Sequence, residues 1–354
     1  MANDTAAILV GVLHDHMQPG YEERFTQMVQ LGLDAVGTRL DRPVELVHVP
    51  AAGLPRGTAH AVREAFGQLE ARGVVAILGP AISDNGIVVR PLADAAELAC
   101  INYTGGEETR SEWSFQYQVG SLEEEPLVLA RHLARRGLRR VALVHDRSPI
   151  GRSYVTFFES GCDTFDIEIV ARAGVSPVVD GLDDVVAAAQ GTDADAVVYL
   201  GLGLSAEPLG RAIAARRWLV PVVANSALMF GYANPEWARL WDGWTFIDAV
   251  ADDNALLAEL YRRLGSAAVP GPGVPAQHDL GRLLGEGIAR ADHLTRAGIR
   301  SGLERVKLIP AAIGREGTTM GFGVWDRAAL KGEYLVLRRW EAGRSVEVPR
   351  DDAS

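Results

Sequence analysis

The sequence predicts an α/β fold made of two doubly wound parallel-sheet lobes that are joined by three crossovers of the chain. Short β-rich apolar runs alternate with helical segments through the first part of the chain, which is typical of βαβ units with right-handed crossovers. The same alternation restarts after Ser121. The run Val74–Leu78 is apolar throughout, as expected for a strand covered on both faces of a parallel sheet.

The first lobe begins with four predicted strands separated by three predicted helices. The third strand ends at Gly79-Pro80, and Ser83 or Asp84 can cap the helix that follows. Such a turn presents backbone N–H groups and a hydroxyl at a strand end, where α/β sheets bind small anions. The predicted strands are Ile8–Leu13, Val44–Val49, Val74–Leu78 and Cys100–Tyr103, and the predicted helices are Tyr21–Arg39, Thr58–Arg72 and a third that ends at Ala99.

The second lobe repeats this pattern, and a largely helical region with returning strands follows it. Its predicted helices are Glu124–Arg136, Ser153–Asp163, Leu182–Gln190 and Glu207–Arg217, and its predicted strands are Val141–His145, Ile167–Ala173, Ala196–Leu200 and Pro221–Ala224. The last region has predicted helices Ala255–Leu264, Ala276–Ala297 and Gly302–Arg305 and predicted strands Thr318–Val324 and Tyr334–Arg339. We expect a first lobe of residues 1–120 and 248–325, a second lobe of residues 121–247 and 326–354, and a ligand cleft between the two sets of strand ends.

Length, charge and cysteine content exclude several classes of protein. The 354 residues suffice for two domains, and the 48% of hydrophobic residues can fill two cores. The net charge of −11 argues against a nucleic-acid or anionic-membrane surface. No apolar stretch reaches the roughly 18 residues of a membrane span. We interpret Cys100 and Cys162 as small buried hydrophobic residues rather than a disulfide or metal site, and we predict no cofactor.

Three polar motifs allow other interpretations. Residues 201–206 match a loose G-x-G-x-x-A dinucleotide pattern, but they lie outside the first βαβ unit and lack a following acid, so a tight turn is favoured. His14-Asp15-His16 lacks a further metal ligand nearby, so a polar loop facing a ligand is favoured. His278-Asp279 is most simply explained by Asp279 as a helix cap. An enzyme that uses His14, Asp15 or His278 for acid–base chemistry is the alternative function.

Six groups of residues occur along the whole chain in an order and spacing that together indicate a family. They are Ile8–Val12, Ile77–Pro80 with Ser83, Phe115–Ser121, Val141–Asp146 followed by Gly151, Asp195–Tyr199 followed by Gly201, and Met320–Asp326 with Lys331–Tyr334. This arrangement resembles the type I periplasmic-binding-protein fold, and in particular the leucine/isoleucine/valine-binding type of solute receptor.

The resemblance implies a binding site for a ligand carboxylate in the first lobe. Ser83 matches the hydroxyl that binds the carboxylate in this family. Tyr103, Thr104 and Gly105 match the second loop, whose backbone and hydroxyl share that carboxylate. Tyr21 matches an aromatic wall after the first strand.

In the second lobe, the resemblance predicts a ligand other than a free branched-chain amino acid. Ile150 stands where amino-acid receptors of the family place a tyrosine, and Leu202 and Leu204 stand near a second tyrosine position. Those receptors hold the ligand ammonium with an acid near the position of Ser226, and the local sequence here is Asn225-Ser226-Ala227. Because an unpaired buried ammonium is costly, we expect an apolar wall to which Met229 also contributes. The expected ligand has an apolar or aromatic body and a carboxylate or neutral polar head.

The sequence therefore predicts non-catalytic binding of a small organic ligand, with hinge closure at residues 119–123, 246–250 and 324–327. The expected role is that of a solute receptor for an ABC permease, or of a sensor with a signalling partner, as in the amide-sensing regulators of this fold. We expect a monomer or homodimer with no metal. No signal-peptide pattern precedes Ile8, so a cytoplasmic location is expected for a complete sequence and an extracytoplasmic one if a leader was removed.

Overall fold

The computed structural model describes residues 6–15, 20–265 and 268–349. The chain forms two compact units: unit 1 is Met1–Val119 with Asp253–Tyr334, and unit 2 is Gly120–Asp252 with Leu335–Ser354. The chain passes between the two units at three points. His16, from the predicted polar loop, lies outside the described residues.

The helices and strands alternate through both units. In the first segment of unit 1 they are β1 (Ile8–His14), α1 (Tyr21–Asp34), β2 (Val44–Pro50), α2 (Ala59–Ala71), β3 (Ala76–Leu78), α3 (Ser83–Ala95), β4 (Ala99–Asn102) and β5 (Ser114–Gln116). In the first segment of unit 2 they are α4 (Glu125–Arg135), β6 (Arg140–Asp146), α5 (Pro149–Phe165), β7 (Glu168–Val175), α6 (Asp183–Gln190), β8 (Ala196–Leu200), α7 (Ala206–Ala215), β9 (Val222–Ala224), α8 (Pro235–Leu240) and β10 (Thr245–Asp248). Unit 1 then adds α9 (Ala255–Leu264), α10 (Gly273–Ala289), α11 (Arg296–Glu304), β11 (Ile309–Pro310), β12 (Thr319–Met320) and β13 (Leu330–Lys331), and unit 2 ends with β14 (Val336–Glu341) and β15 (Arg344–Glu347). Short 3-10 helices span Gly37–Arg39, Glu107–Thr109 and Ser226–Tyr232.

Each unit contains a parallel sheet with the same order of strands. In unit 1 the order is β2-β1-β3-β4-β5. In unit 2 the corresponding order is β7-β6-β8-β9-β10, and the hairpin β14–β15 adds two antiparallel strands beside β10. The carboxyl ends of parallel strands meet at one edge of a sheet. The loops after β1, β3 and β4 therefore come together in unit 1, as do those after β6, β8 and β9 in unit 2.

Apolar helix faces cover the sheets, and glycines permit the closest helix contact. A Cβ atom at Gly32 of α1 would lie 2.0 Å from the carbonyl oxygen of His278, and one at Gly281 of α10 would lie 2.1 Å from that of Val29. Only glycine allows two helix backbones to approach this closely. None of the helices in the described ranges combines the length and apolarity that a membrane crossing requires.

Two predicted elements differ from the structure for local reasons. The predicted helix Ala276–Ala297 stops at Ala289, and α11 starts separately because Thr295 Oγ1 accepts a hydrogen bond from the Gly298 N–H at 3.1 Å. The predicted strand Thr318–Val324 contains only β12 as a strand. Its last part is a turn in which the Gly323 N–H donates to the Asp326 carbonyl at 2.8 Å.

The last predicted lobe boundary also differs from the observed units. Residues 326–334, assigned to the second lobe from the sequence, lie in unit 1. Two contacts hold them there. The Ala329 N–H donates to the Gln116 carbonyl at 2.8 Å, and β13 pairs with β12.

Candidate ligand-binding residues

In unit 1, the carboxyl-terminal edge of the sheet carries the predicted polar residues. Asp15 follows β1, Ser83 opens α3 shortly after β3, and Tyr103 follows β4. Tyr21, the first residue of α1, brings its hydroxyl to 2.8 Å from the Tyr103 hydroxyl. The structure therefore places these two tyrosines in direct contact at this edge.

Asp15 occupies the turn where the sequence predicts a ligand anion. Its Oδ1 accepts a hydrogen bond from the Ala81 N–H at 2.9 Å, and its Oδ2 accepts one from the Ile82 N–H at 2.9 Å. Oδ2 also accepts from the Asn85 side-chain amide at 3.0 Å. These donors lie at the start of α3, where the helix dipole favours a negative charge. A carboxylate of the protein itself thus accepts the backbone N–H groups of this turn.

The hydroxyls predicted to share the ligand carboxylate are engaged inside unit 1. Ser83 Oγ accepts a hydrogen bond from the Gly106 N–H at 3.1 Å. Thr104 Oγ1 donates to Asn102 Oδ1 at 2.8 Å. Both Ser83 and Thr104 are buried, whereas Gly105 between these contacts is partly exposed. The two hydroxyls therefore build the turn after β4, and Gly105 is its accessible residue.

The hydroxyls of Tyr21 and Tyr103 stay protonated at neutral pH. Burial raises the pKa of Tyr21 to about 12; the Tyr103 hydrogen bond and Arg24 oppose this shift, and the charge of Asp15 adds to it. Burial also raises the pKa of Tyr103 well above its usual value, and Tyr21 and Asp15 add to that shift. A neutral tyrosine hydroxyl can both donate and accept a hydrogen bond, and Tyr21 is also hydrogen-bonded to the Gln277 side chain.

His14, a candidate acid–base group, takes part in an internal histidine contact. His14 Nε2 contacts His48 Nδ1, and their rings are stacked with centroids 4.7 Å apart. His48 Nε2 lies 2.8 Å from Thr26 Oγ1. Within the described residues, no three His, Cys, Asp or Glu side chains come together as a metal site.

His278 and Asp279 lie well inside α10, so the predicted capping role of Asp279 is wrong. The helix begins at Gly273, and Asp279 is fully buried. Its carboxylate lies 3.1 Å from His278 Nδ1 and accepts a hydrogen bond from the Tyr117 hydroxyl at 2.8 Å. These contacts join α10 to the chain after β5, which is a structural role within unit 1.

In unit 2, Asp146 organises the corresponding edge of the sheet. It ends β6, and its Oδ2 accepts from the Leu202 N–H at 2.7 Å. Its Oδ1 accepts from Ser205 Oγ at 2.5 Å and from the Tyr199 hydroxyl at 3.5 Å. Burial raises the pKa of Asp146, and these donors oppose the shift.

The Asp146 contacts close residues 201–205 into a tight turn, as the sequence favours over a dinucleotide loop. Gly203 has φ of 108°, a conformation that L residues rarely adopt. A Cβ atom there would lie 2.7 Å from the Ala227 carbonyl oxygen. Glycine at 203 is therefore explained by the turn and its neighbour, without a phosphate group.

Glu125 is the functional candidate that the sequence analysis missed. Its Oε1 accepts from the Ser121 N–H at 2.6 Å and from Ser226 Oγ at 2.9 Å, and its Oε2 accepts from the Ser226 N–H at 2.6 Å. The Tyr154 hydroxyl donates to Oε1 at 3.3 Å. The expectation that the surroundings of Ser226 lack an acid is therefore wrong, because α4 supplies one.

Burial dominates the chemistry of Glu125. The residue is 0% exposed, and burial raises its pKa to about 7, although Ser226, Ser121 and Tyr154 stabilise the ionised form. A sequence signal for this position exists. Glu125 shares the helical spacing of Leu129 and Leu133, both also 0% exposed, so it lies on the apolar face of α4.

The predicted apolar residues of unit 2 lie at three neighbouring strand ends. Ile150 is in the first turn of α5 after β6, and it is buried. Leu202 and Leu204 are partly exposed in the turn after β8, and Met229 is partly exposed in the 3-10 helix after β9. Unit 2 therefore offers accessible apolar surface at this edge of its sheet.

Comparisons with known proteins agree with this architecture. The family model described as "Periplasmic binding protein" matches residues 19–329. No curated protein sequence matches the chain.

Solved structures match the chain over nearly its full length. A periplasmic binding protein type 1 from Bordetella pertussis Tohama I is 17% identical, with 97% of this chain and 100% of that chain covered and a TM-score of 0.83. LivJ from Streptococcus pneumoniae, a branched-chain amino acid substrate-binding protein in complex with isoleucine, is 15% identical, with 96% and 98% covered and a TM-score of 0.82. A solute-binding protein of an ABC transporter from R. palustris, in complex with benzoate, is 16% identical, with 97% and 96% covered and a TM-score of 0.80.

The fold and the match over most of the chain define a two-unit α/β binding protein. The chain belongs to the periplasmic binding protein family. The predicted fold class, type I with doubly wound sheets, is confirmed, as is the predicted class of small-molecule binding protein.

Proposed function

We propose that this chain is a receptor for a small organic ligand that has a polar head and an apolar or aromatic body. The family relation supports binding, and the isoleucine and benzoate complexes of similar proteins support a ligand of this size with an apolar body. Its role is delivery to an ABC permease or signalling of ligand concentration. Delivery is favoured because similar proteins include a "putative branched-chain amino acid ABC transporter" from Rhodospirillum rubrum and the ABC-transporter solute-binding protein from R. palustris.

The observation that carries the ligand class is the contrast between the two sheet edges. In unit 1, Tyr21, Tyr103 and Gly105 present hydroxyl and backbone groups. In unit 2, Leu202 and Met229 leave apolar surface accessible. The first group suits a polar head, and the second suits an apolar body. The other predicted residues, Ser83, Thr104, Ile150, Leu204 and Ser226, shape these two edges.

A thermal-shift screen, checked by native mass spectrometry, tests this function. A ligand present at about 100 times its dissociation constant stabilises the folded protein by about 2.7 kcal/mol. We expect larger apolar amides, amines or acids to bind at micromolar concentrations. A screen without any stabilising compound of this class would contradict the proposed function.

Binding without turnover is part of the proposal. His14, Asp15 and His278, the groups of the alternative enzyme, all form hydrogen bonds with protein groups. The measurement is mass spectrometry of a bound compound after prolonged incubation with the protein. We expect the compound to be recovered unchanged, whereas a steady conversion would favour the enzyme.

Hinge closure on the ligand stays a prediction from the sequence. The chain passes between units after Val119, Asp252 and Tyr334, and the first of these falls at a predicted hinge. Small-angle X-ray scattering with and without a tight ligand measures the effect. We expect a smaller radius of gyration with ligand. Identical profiles would indicate a protein that does not close.

A further inference from the structure

Asp15 is the group that decides which polar heads unit 1 can accept. We propose that Asp15 is a built-in anion that makes the polar edge of unit 1 reject ligand carboxylates and select neutral or positively charged hydrogen-bond donors, such as amides and amines. This inference rests on the proposed function and narrows its ligand class.

Asp15 uses backbone donors of the turn that joins β3 to α3, one of the places where a ligand anion could find N–H groups. The Ala81 and Ile82 N–H groups each lie 2.9 Å from a different oxygen of Asp15. Asn85 adds a third donor, and its own position is fixed because its Oδ1 accepts from the Leu54 N–H at 2.9 Å. An incoming carboxylate would therefore have to displace a held carboxylate.

The second step concerns the neighbouring groups at the start of α3. Ser83 Oγ accepts the Gly106 N–H, so one acceptor position of this hydroxyl is used within unit 1. Asp84, also buried, adds a second acid to the first turn of the helix. The helix N-terminus, which normally favours anions, is thus complemented by acids of the protein.

The third step is the effect of the Asp15 charge on the neighbouring tyrosine hydroxyls. It raises the pKa of both Tyr21 and Tyr103, in addition to the larger effect of burial, so the carboxylate acts on the hydroxyl pair. Arg24 acts in the opposite direction on Tyr21. A second anion at about 5 Å from a partly shielded carboxylate is disfavoured by at least about tenfold in affinity.

The same geometry favours a donor. A carboxylate has about four acceptor positions, and Asp15 receives three hydrogen bonds from the donors described above. Asp15 is 9% exposed, a small exposure that Asp146 lacks. An amide or ammonium N–H can donate to the remaining position.

Chemical rescue tests the anion position without any ligand. In Asp15→Ala the Ala81 and Ile82 N–H groups lose their acceptor, and we expect added sodium formate to raise the melting temperature in a concentration-dependent way. Sodium chloride at equal ionic strength should not raise the melting temperature of the variant. For the wild type, formate should have no larger effect on the melting temperature than sodium chloride. The matched control is Asp195→Ala. Asp195 also accepts two backbone N–H groups, from Arg139 and Arg140 at 2.9 Å each, but at the opposite end of the unit 2 strands.

Three probes of similar shape then test selectivity: benzoate, benzamide and benzylamine. By calorimetry we expect the wild type to bind benzamide or benzylamine at least about tenfold more tightly than benzoate. Asp15→Ala should narrow or reverse that preference, and Asp195→Ala should retain it. An aliphatic set, 3-methylbutanoate, its amide and its amine, covers a ligand without an aromatic body.

The outcomes separate the two proposals. Wild-type protein that binds the carboxylates as tightly as the amides, or Asp15→Ala that formate does not stabilise, overturns the role of Asp15. Protein that binds none of the six probes, while formate still rescues Asp15→Ala, counts against the proposed ligand class and supports the anion position. If Asp15→Ala fails to fold, the role of Asp15 is decided by whether the wild type binds the amides and amines more tightly than the carboxylates.

Discussion

In each unit, an aspartate at the end of one strand accepts hydrogen bonds from the turn after a neighbouring strand. The two aspartates differ in their exposure. Asp15 follows the central strand β1 in the order β2-β1-β3, and Asp146 ends β6 in the matching order β7-β6-β8. Each carboxylate accepts a backbone N–H from the turn after the next strand, Ala81 and Ile82 in unit 1 and Leu202 in unit 2. In both units the aspartate thus holds that turn in place by hydrogen bonds, and we call this arrangement of aspartate and turn a clamp.

The difference lies in burial. Asp146 is 0% exposed, and its other partners are the Ser205 and Tyr199 hydroxyls. Asp15 keeps some exposure, and its charge acts on the tyrosine hydroxyls beside it. The same clamp therefore serves structure alone in unit 2, whereas in unit 1 it also sets the charge that a ligand meets. The corresponding edge of unit 2 in addition buries Glu125, so Asp146 and Glu125 should carry larger effects on stability than Asp15.

The largest expected effect is on the pH dependence of stability through Glu125→Gln. The folded-state pKa of about 7 lies above the usual glutamate pKa of 4.5 because Glu125 is buried, so the folded protein binds the proton more tightly than the unfolded chain. Stability from this group is complete below about pH 4.5 and is lost as the pH rises to about 7, a loss of about 3 kcal/mol. Urea unfolding from pH 4.5 to 8 should show that the variant lacks this loss.

The control for that measurement is Glu124→Gln, which removes the same charge from an exposed neighbour. Its pH profile should follow the wild type. If Glu125→Gln and the wild type have parallel profiles, the carboxyl of Glu125 does not hold its proton in the folded state, and the contrast in burial between the units loses its main support.

The strand ends that carry Asp15 and Asp146 can be predicted from the sequence, whereas the hydrogen-bond partners of buried acids cannot. Alternation of apolar runs locates the strands, and Asp15 follows a strand end, so a polar loop at that edge could be foreseen. Glu125 could not be assigned a partner, because Ser226 is 101 residues away in the chain and only the packing of α4 brings them together. The run Glu123-Glu124-Glu125 also has the composition of a solvated surface, which hides its buried member.

The contact of Asp15 with the turn after β3 could not be predicted for a related reason. Ser83 stands at the right turn, but a free helix N-terminus and one filled by Asp15 have the same local sequence. The filling depends on the loop after β1 meeting the turn after β3, a contact between residues 66 or 67 positions apart. Periodicity within an element carries no information on such a contact.

The second prediction concerns the buried clamp. Asp146→Asn keeps the shape of the side chain but turns one acceptor oxygen into a donor, so either Leu202 N–H or the Ser205 hydroxyl loses its partner. We expect a loss of about 2 kcal/mol in the free energy of unfolding. Amide hydrogen exchange should become faster in residues 201–205. Unchanged exchange there would show that the turn holds without Asp146.

The third prediction applies the same change to the more exposed clamp. Asp15→Asn should cost about 1.5 kcal/mol, less than Asp146→Asn, because water can reach the unpaired N–H at the edge of unit 1. The same denaturant titration measures both variants. Equal losses would mean that the two acids are buried alike in solution, which would break the comparison between the units.

The smallest expected effect is that of Ser83→Ala. The sequence assigns the Ser83 hydroxyl to the ligand, whereas the structure gives it the Gly106 N–H at 3.1 Å. If the hydroxyl serves only to accept the Gly106 N–H, the variant loses one neutral hydrogen bond, about 1 kcal/mol in unfolding free energy. Amide hydrogen exchange at Gly106 should then become faster. Affinity for benzamide then falls only through the loosened turn, by less than about tenfold. A larger loss of affinity with unchanged exchange at Gly106 would return Ser83 to direct ligand contact. It would also mean that the start of α3 receives a ligand despite Asp15.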